Sequence, residues 1–332
     1  VIVPKIEAMQ KEGEHGQKKI NKITRWLALP LAFVQSYGMI LLLNNLAGGS
    51  IINTADRWTV FTAMMVVTTW TMFLMWLGEI MTEYGIGNGI SVIITAWVLA
   101  WVPGIIINYF STASYWLFAW LLVLTLLIIY IIIKFTEWNR RIPIIYTRTG
   151  WDEKSYFPIR INQAGMVPII FAVSLVTFPS IIGQILATSW SQSARNIWDF
   201  LVTYFGMNNP SWAFIAVYFI LVVLFSFFYV SITFNTDQVA ENIQKRWGYI
   251  PGIRPGVETS EYFAKVSARL NFFWGSFLAI IAVLPYVMSK LMGQTIDLLV
   301  SGAGLIIIVS VILDLIRKVD TEMKMYDYDS FK

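Results

Sequence analysis

The sequence predicts an all-α polytopic membrane protein with about eight transmembrane helices, and three observations carry that prediction. Eight apolar stretches run through the chain, each near the roughly 20 residues a helix needs to cross about 30 Å of hydrocarbon. None of their interiors holds Asp, Glu, Lys, Arg or His. The segments between them alternate sharply in Lys and Arg content. A water-soluble core has no need of eight such runs, whereas a chain that crosses lipid repeatedly must satisfy its backbone inside each one.

In chain order, the first stretch, 25–44, follows Lys18, Lys19 and Lys22, opens at Arg25 and contains Pro30 and Gln35. The second, 59–78, is entered at Trp58 and ends at Gly78. The third, 91–108, leaves a glycine-rich turn, carries Pro103 and reaches Tyr109. The fourth, 116–133, opens at Trp116 and closes on Lys134 and Trp138. The fifth, 165–187, contains Pro168, Pro179 and Gly183. The sixth, 212–233, opens at Trp212. The seventh, 270–289, carries Gly275 and Pro285, and the eighth is 298–313. Prolines and glycines are tolerated in such helices as kinks and close-packing points. Aromatic residues at the ends match rings that settle at headgroup level.

Charge placement sets orientation. Of 24 basic residues, 21 fall in residues 1–25, 134–160, 245–269 and the tail; the alternate segments hold only Arg57, Arg195 and Lys290. The positive-inside rule places both ends of this chain and the basic segments in the cytoplasm, and an even number of spans agrees. The chain begins Val1-Ile2-Val3-Pro4. That short apolar stub is expected to be the end of a further span, with the chain N-terminally truncated.

Several chemistries are disfavoured. With no cysteine there is no disulfide and no thiol chemistry. His15, the only histidine, sits in a charged segment. The polar groups inside the stretches are mild: Gln35, Ser174, Gln184 and Ser226. A coupled small-molecule carrier, the alternative reading, usually buries an ionisable group near mid-membrane, and a membrane enzyme needs a catalytic cluster. No cofactor is expected.

Three connecting segments are distinctive. Residues Lys11-Glu12-Gly13-Glu14-His15-Gly16-Gln17-Lys18-Lys19-Ile20 read as a mobile, solvated turn. Tyr84-Gly85-Ile86-Gly87-Asn88-Gly89-Ile90-Ser91 reads as a tight turn feeding a helix, not a phosphate loop. Ile250-Pro251-Gly252-Ile253-Arg254-Pro255-Gly256 places two Pro-Gly steps around Arg254. Such a frame stiffens a loop and presents a guanidinium suited to carboxylates, phosphates or carbonyls.

These segments occur together, in order, with Phe33-Val34-Gln35, Trp76-Leu77-Gly78-Glu79, Arg140-Arg141-Ile142-Pro143 and the run from Pro158 through Ile161-Asn162-Gln163-Ala164-Gly165 to Phe171. In that combination the chain resembles the SecY family, the large subunit of the bacterial protein-conducting channel, over essentially its whole length. The resemblance implies a ten-span fold of two inverted halves, of which this chain holds the third to tenth spans. Residues 1–137 are then an incomplete N-terminal half with the first span of the second, and 138–332 the remainder, with large cytoplasmic loops at 138–164 and 234–269. It implies a channel that passes unfolded polypeptides across the membrane and releases apolar segments into the lipid bilayer, without catalysis of its own. It implies a pore ring at Ile90, Ile94, Ile170 and Ile307, and a lateral gate that includes Gln35, Ser174 and Phe178. It also implies docking of a SecA-like motor ATPase and the ribosome at Arg254, Arg140, Arg141, Lys245 and Arg246, and SecE- and SecG-like small subunits as partners. Thr236 after Asn235 departs from the family, which often has proline there, and is expected to soften the start of its loop.

Overall fold

The computed structural model describes residues 14–46, 52, 56–85, 87–112, 115–146, 153–187, 196, 200, 203–205, 211–292 and 301–330. The Val1–Val3 stub, Lys11–Gly13, Ile86, residues 298–300 of the last stretch and the side chain of Gln184 lie outside the described residues. The elements are α1 Glu14–Leu46, α2 Arg57–Tyr84, α3 Gly89–Thr112, α4 Tyr115–Glu137, β1 Asn139–Tyr146, β2 Glu153–Arg160, α5 Val167–Ala187, α6 Trp212–Thr233, α7 Thr236–Lys245, β3 Gly248–Tyr249, α8 Val257–Met292 and α9 Gly302–Ser330. Each apolar stretch falls on a helix. Among the described residues, five helices are both long and apolar enough to cross a membrane, within α2, α3, α4, α6–α7 and α8.

The described residues belong to two compact units, one within Val1–Ile93 and Thr177–Ser211, the other within Ile94–Val176 and Trp212–Lys332. In the first, α1 packs on α2. Arg25 makes a two-pronged ion pair with Glu79, its Nε donating to Oε1 at 2.8 Å and its second prong reaching Oε2. Phe33 meets Phe61 edge-on at 6.2 Å. Asp56 caps α2: its carboxylate accepts from the Thr59 hydroxyl at 2.5 Å and the Trp58 N–H at 3.1 Å. Those two bonds, the hydroxyl first, hold its pKa below the usual carboxylate value.

In the second unit α6 lies along α8. Phe214, Ile215, Tyr218, Val222, Ser226 and Val230 recur at helical spacing and are buried. The Ser226 hydroxyl donates to Asn271 Oδ1 at 2.7 Å between these helices, the interhelical bond that apolar surroundings favour. Leu121, Thr125, Ile128 and Ile132 form a buried stripe on α4, which packs on α9. Phe135 stacks on Phe277 at 4.2 Å.

The expectation of an all-α chain gives way to a mostly helical one with a small sheet. β1 pairs antiparallel with β2, Ile142 opposite Phe157, and with the short β3, in the order β2-β1-β3. Strands form because Ile142 and Ile144 alternate with exposed residues and face one core. That core joins Ile142, Ile144 and Ile159 of the hairpin to Ile243 of α7, Ile250, and Phe263 and Val266 of α8. The segments read as loops 138–164 and 234–269 are therefore a cap with an interior of its own. Two further expectations change. Glu14–Ile20 continue α1 instead of forming a turn. Thr236 does not soften its segment: Asn235 caps α7, its Oδ1 accepting from the Asp237 and Gln238 N–H groups at 3.1 Å each. Thr236 occupies the first helical position, where proline is also well suited.

Candidate functional site

The glycine-rich turn is compact. Gly85 ends α2 with its N–H on the Met81 carbonyl at 3.0 Å. Asn88 Oδ1 accepts from the Ile90 N–H at 3.1 Å and the Ser91 N–H at 3.4 Å, opening α3. The Gly89 N–H donates to the Thr82 hydroxyl at 2.8 Å. A Cβ on Gly89 would run into the Gly78 carbonyl oxygen, and one on Gly78 would lie 2.7 Å from Ile90 Cγ1. Glycine at both positions lets the two helices meet at their ends and seats Ile90 over Gly78.

Of the four isoleucines implied as a ring, Ile90 is exposed in the first unit. Ile94, one helical turn further along α3, and Ile170 on α5 are half-buried, and Ile307 on α9 is buried. On α5 the Ser174 hydroxyl donates back to the Ile170 carbonyl at 2.9 Å. Its hydrogen-bonding need is therefore met within its own helix, which fits an exposed serine on an apolar helix. Gln35 on α1 and Phe178 on α5 are exposed.

The cap carries the basic residues. Arg254 sits between Gly252 at φ +82° and Gly256 at φ +103°, a backbone region that L side chains rarely adopt. The Ile253 N–H closes a turn on the Ile250 carbonyl at 3.0 Å. The Arg254 carbonyl accepts from the Thr259 hydroxyl at 2.8 Å and its N–H donates to Glu258 Oε2 at 3.3 Å. The backbone is thus fixed at both ends while the side chain is 87% exposed, 3.9 Å from Glu258. Arg140 and Arg141 are exposed neighbours on β1 and project to opposite faces of the sheet. Lys245 pairs with Glu241 at 2.7 Å. It and Arg246 end α7, where cations suit the helix dipole.

Sequence reasoning missed three features here. Trp247 takes a left-handed backbone (φ +59°), unusual for a bulky residue, and its indole is 68% exposed beside Arg246. A cleft of about 310 Å³ lies between the hairpin and α7, lined by Tyr146, Phe157, Val239, Asn242, Ile243 and Arg246. The Arg25–Glu79 pair joins residues 54 positions apart. Nothing local in the sequence signals any of the three.

Comparison with known proteins supplies the family. A family model described as SecY matches residues 1–316. The chain is 34% identical over 345 residues to protein translocase subunit SecY of Staphylococcus aureus (strain NCTC 8325 / PS 47), covering 99% of this chain and 78% of that protein. It is 34% identical over 344 residues to protein translocase subunit SecY of Corynebacterium glutamicum, with the same two coverages. A solved protein-conducting channel superposes with a TM-score of 0.64 at 17% identity, over 93% of this chain and 74% of that one. A second solved structure, of a SecY whose plug domain stabilises the closed channel and maintains a membrane seal, gives 0.63 at 19% identity, over 93% and 75%.

Proposed function

Since the chain belongs to the SecY family and is a channel subunit of the protein translocase, a multi-pass membrane protein and not an enzyme, we propose how its own residues do that work. All eight apolar stretches span the membrane, α1 to α6, α8 and α9 each providing one crossing. The basic cap and both ends of this chain face the cytoplasm. The 21 basic residues in alternate segments support that orientation.

Ile90, Ile94, Ile170 and Ile307 line the narrowest part of the conduit. An apolar constriction strips hydration from an ion and so excludes it, while a driven, extended chain pushes through. Gln35, Ser174 and Phe178 belong to a lateral gate, a seam that opens sideways. Because the Ser174 hydroxyl bonds the Ile170 carbonyl of its own helix, parting that seam does not strand it, which suits a gate that opens at modest cost. An apolar segment in transit then partitions into lipid. Residues 1–137 hold the incomplete N-terminal half together with the first span of the second half, and residues 138–332 hold the remainder of the second half.

The cap receives a SecA-like motor or the ribosome through Arg254, Arg140, Arg141, Lys245 and Arg246. Phosphates of ribosomal RNA and carboxylates of a protein partner both suit these cations. The partners supply the driving energy, and SecE- and SecG-like subunits complete the assembly.

The observation that carries this reading is the family match through residue 316, which includes every residue proposed for ring, gate and docking. A crosslink tests the gate. The chain has no cysteine, so Gln35→Cys with Ser174→Cys gives one defined pair. Oxidising the double variant in translocating membrane vesicles is expected to join the two positions and stop membrane insertion, and reduction to restore it. Failure to crosslink in the resting channel removes this pair from the gate.

A further inference from the structure

Going beyond the docking residues proposed above, we infer that the distal half of α9 is a docking face for a basic amphipathic helix of a partner protein. Along its first turns α9 is enclosed: Leu305, Ile306, Val309 and Val311 are buried. The enclosure ends there, yet the helix continues to Ser330. Asp314 is its first charged residue and is exposed, and Arg317 pairs with it at 3.6 Å. Hydrocarbon therefore ends near that turn, because charges are costly in lipid.

Beyond it, Ile316, Val319 and Met323 are 51%, 38% and 58% exposed. Spaced at i, i+3 and i+7, they occupy a stripe about 60° wide at 3.6 residues per turn. That is the a-d-a spacing of a coiled-coil seam, which a second helix fills. In the same heptad Asp320 and Glu322 take the e and g positions on either side of the stripe, and both are exposed. The sequence repeats the pattern with Asp327 and Asp329 at the next e and g positions. The nearby cations Arg317, Lys318 and Lys324 belong to the rear of the helix by the same count.

The flanking charge selects the occupant. In a pair of copies of this helix the e and g residues of one meet those of the other, parallel or antiparallel, so acid would face acid. An anionic lipid surface meets the same repulsion. A helix with an apolar seam and Lys or Arg at its flanks gains both burial and charge complementarity.

The test uses the intact protein in nanodiscs of uncharged lipid, with Thr321→Cys on the rear of α9 carrying a fluorophore. Two peptides of about three heptads are titrated, alike in their apolar seam, one with Lys and one with Glu at e and g. The Lys peptide is expected to bind about tenfold or more tightly than the Glu peptide, the scale of a few flanking charge pairs. Val319→Glu with Met323→Glu is expected to abolish binding while far-ultraviolet circular dichroism stays unchanged, since both residues are exposed. Asp320→Lys with Glu322→Lys is expected to reverse the preference. Equal affinity for the two peptides, or binding insensitive to the Val319 and Met323 changes, overturns the proposal. So does preferential binding to vesicles of phosphatidylglycerol, which makes the face a lipid contact, or self-association abolished by the same changes, which makes it a contact between copies. Each of these readouts is independent of the cap residues and the pore ring.

Discussion

Arg254, proposed here as a docking residue, shows how the backbone around one residue can present its side chain to a partner. Its carbonyl and N–H are engaged by Thr259 and Glu258, and the flanking glycines adopt positive φ, so the loop is set before any partner arrives. Its guanidinium is largely exposed and only loosely paired with Glu258, so it contributes little to folding. Arg254→Glu is therefore expected to lower motor-driven export about tenfold or more, the loss typical when a charged anchor is reversed against its partner. Thermal stability should change by no more than about 0.5 kcal/mol, as for an exposed substitution. Arg254→Lys should retain part of the activity, having charge without the planar fork. Translocation into inverted membrane vesicles, paired with a melting curve, checks all three; normal export by the Glu variant would remove Arg254 from the docking surface. This residue was legible in the sequence because Pro-Gly steps write backbone geometry into residue identity. Trp247 was not, because nothing about a tryptophan announces a left-handed conformation. The tie between Arg25 and Glu79 was hidden for a different reason: it depends on how α1 meets α2, and each residue alone reads as an ordinary interfacial charge.

At the scale of elements, the helices were legible and the cap was not, for one physical reason. A membrane helix carries its whole signal in about 20 contiguous residues, because lipid demands apolarity all along it. The cap assembles its interior from residues widely separated in sequence: Ile142, Ile144 and Ile159 of the hairpin, Ile243 and Ile250, then Phe263 and Val266. Each segment contributes two or three apolar side chains, too few to stand out against charged neighbours. The seventh apolar stretch likewise starts at residue 270, where charges stop, although α8 begins at Val257 and buries Phe263 and Val266 ahead of that stretch. Phe263 is fully buried and meets Phe157 edge-on at 5.6 Å. Phe263→Ala is expected to destabilise the cap by about 3–5 kcal/mol, the cost of removing a large core ring. Amide exchange in β1, β2 and α7 should then accelerate by at least about a hundredfold, while exchange in α6 stays slow. Mass-spectrometric hydrogen exchange reads both at once, and unchanged protection of β1 would show that the cap has no cooperative interior.

For the whole molecule, the proposed channel must hold back ions at rest yet pass a polypeptide, and isoleucine side chains meet both demands only if they stay dry. The chemistry of the ring matters more than its volume: asparagine is smaller than isoleucine and offers hydrogen bonds that let water fill the constriction, whereas leucine keeps it apolar at nearly the same size. Ile94→Asn with Ile170→Asn is accordingly expected to make the resting channel leak, and Ile94→Leu with Ile170→Leu to keep the seal. Both positions are half-buried, so neither pair need unfold the helices that carry them. The two doubles differ in polarity far more than in shape, which separates loss of dryness from loss of packing. Efflux of trapped chloride from proteoliposomes of equal protein content measures the difference directly. A leak from the Asn variant alone supports a dry ring that includes Ile94 and Ile170; tight vesicles from both variants would place these two isoleucines in ordinary helix packing, away from the conduit.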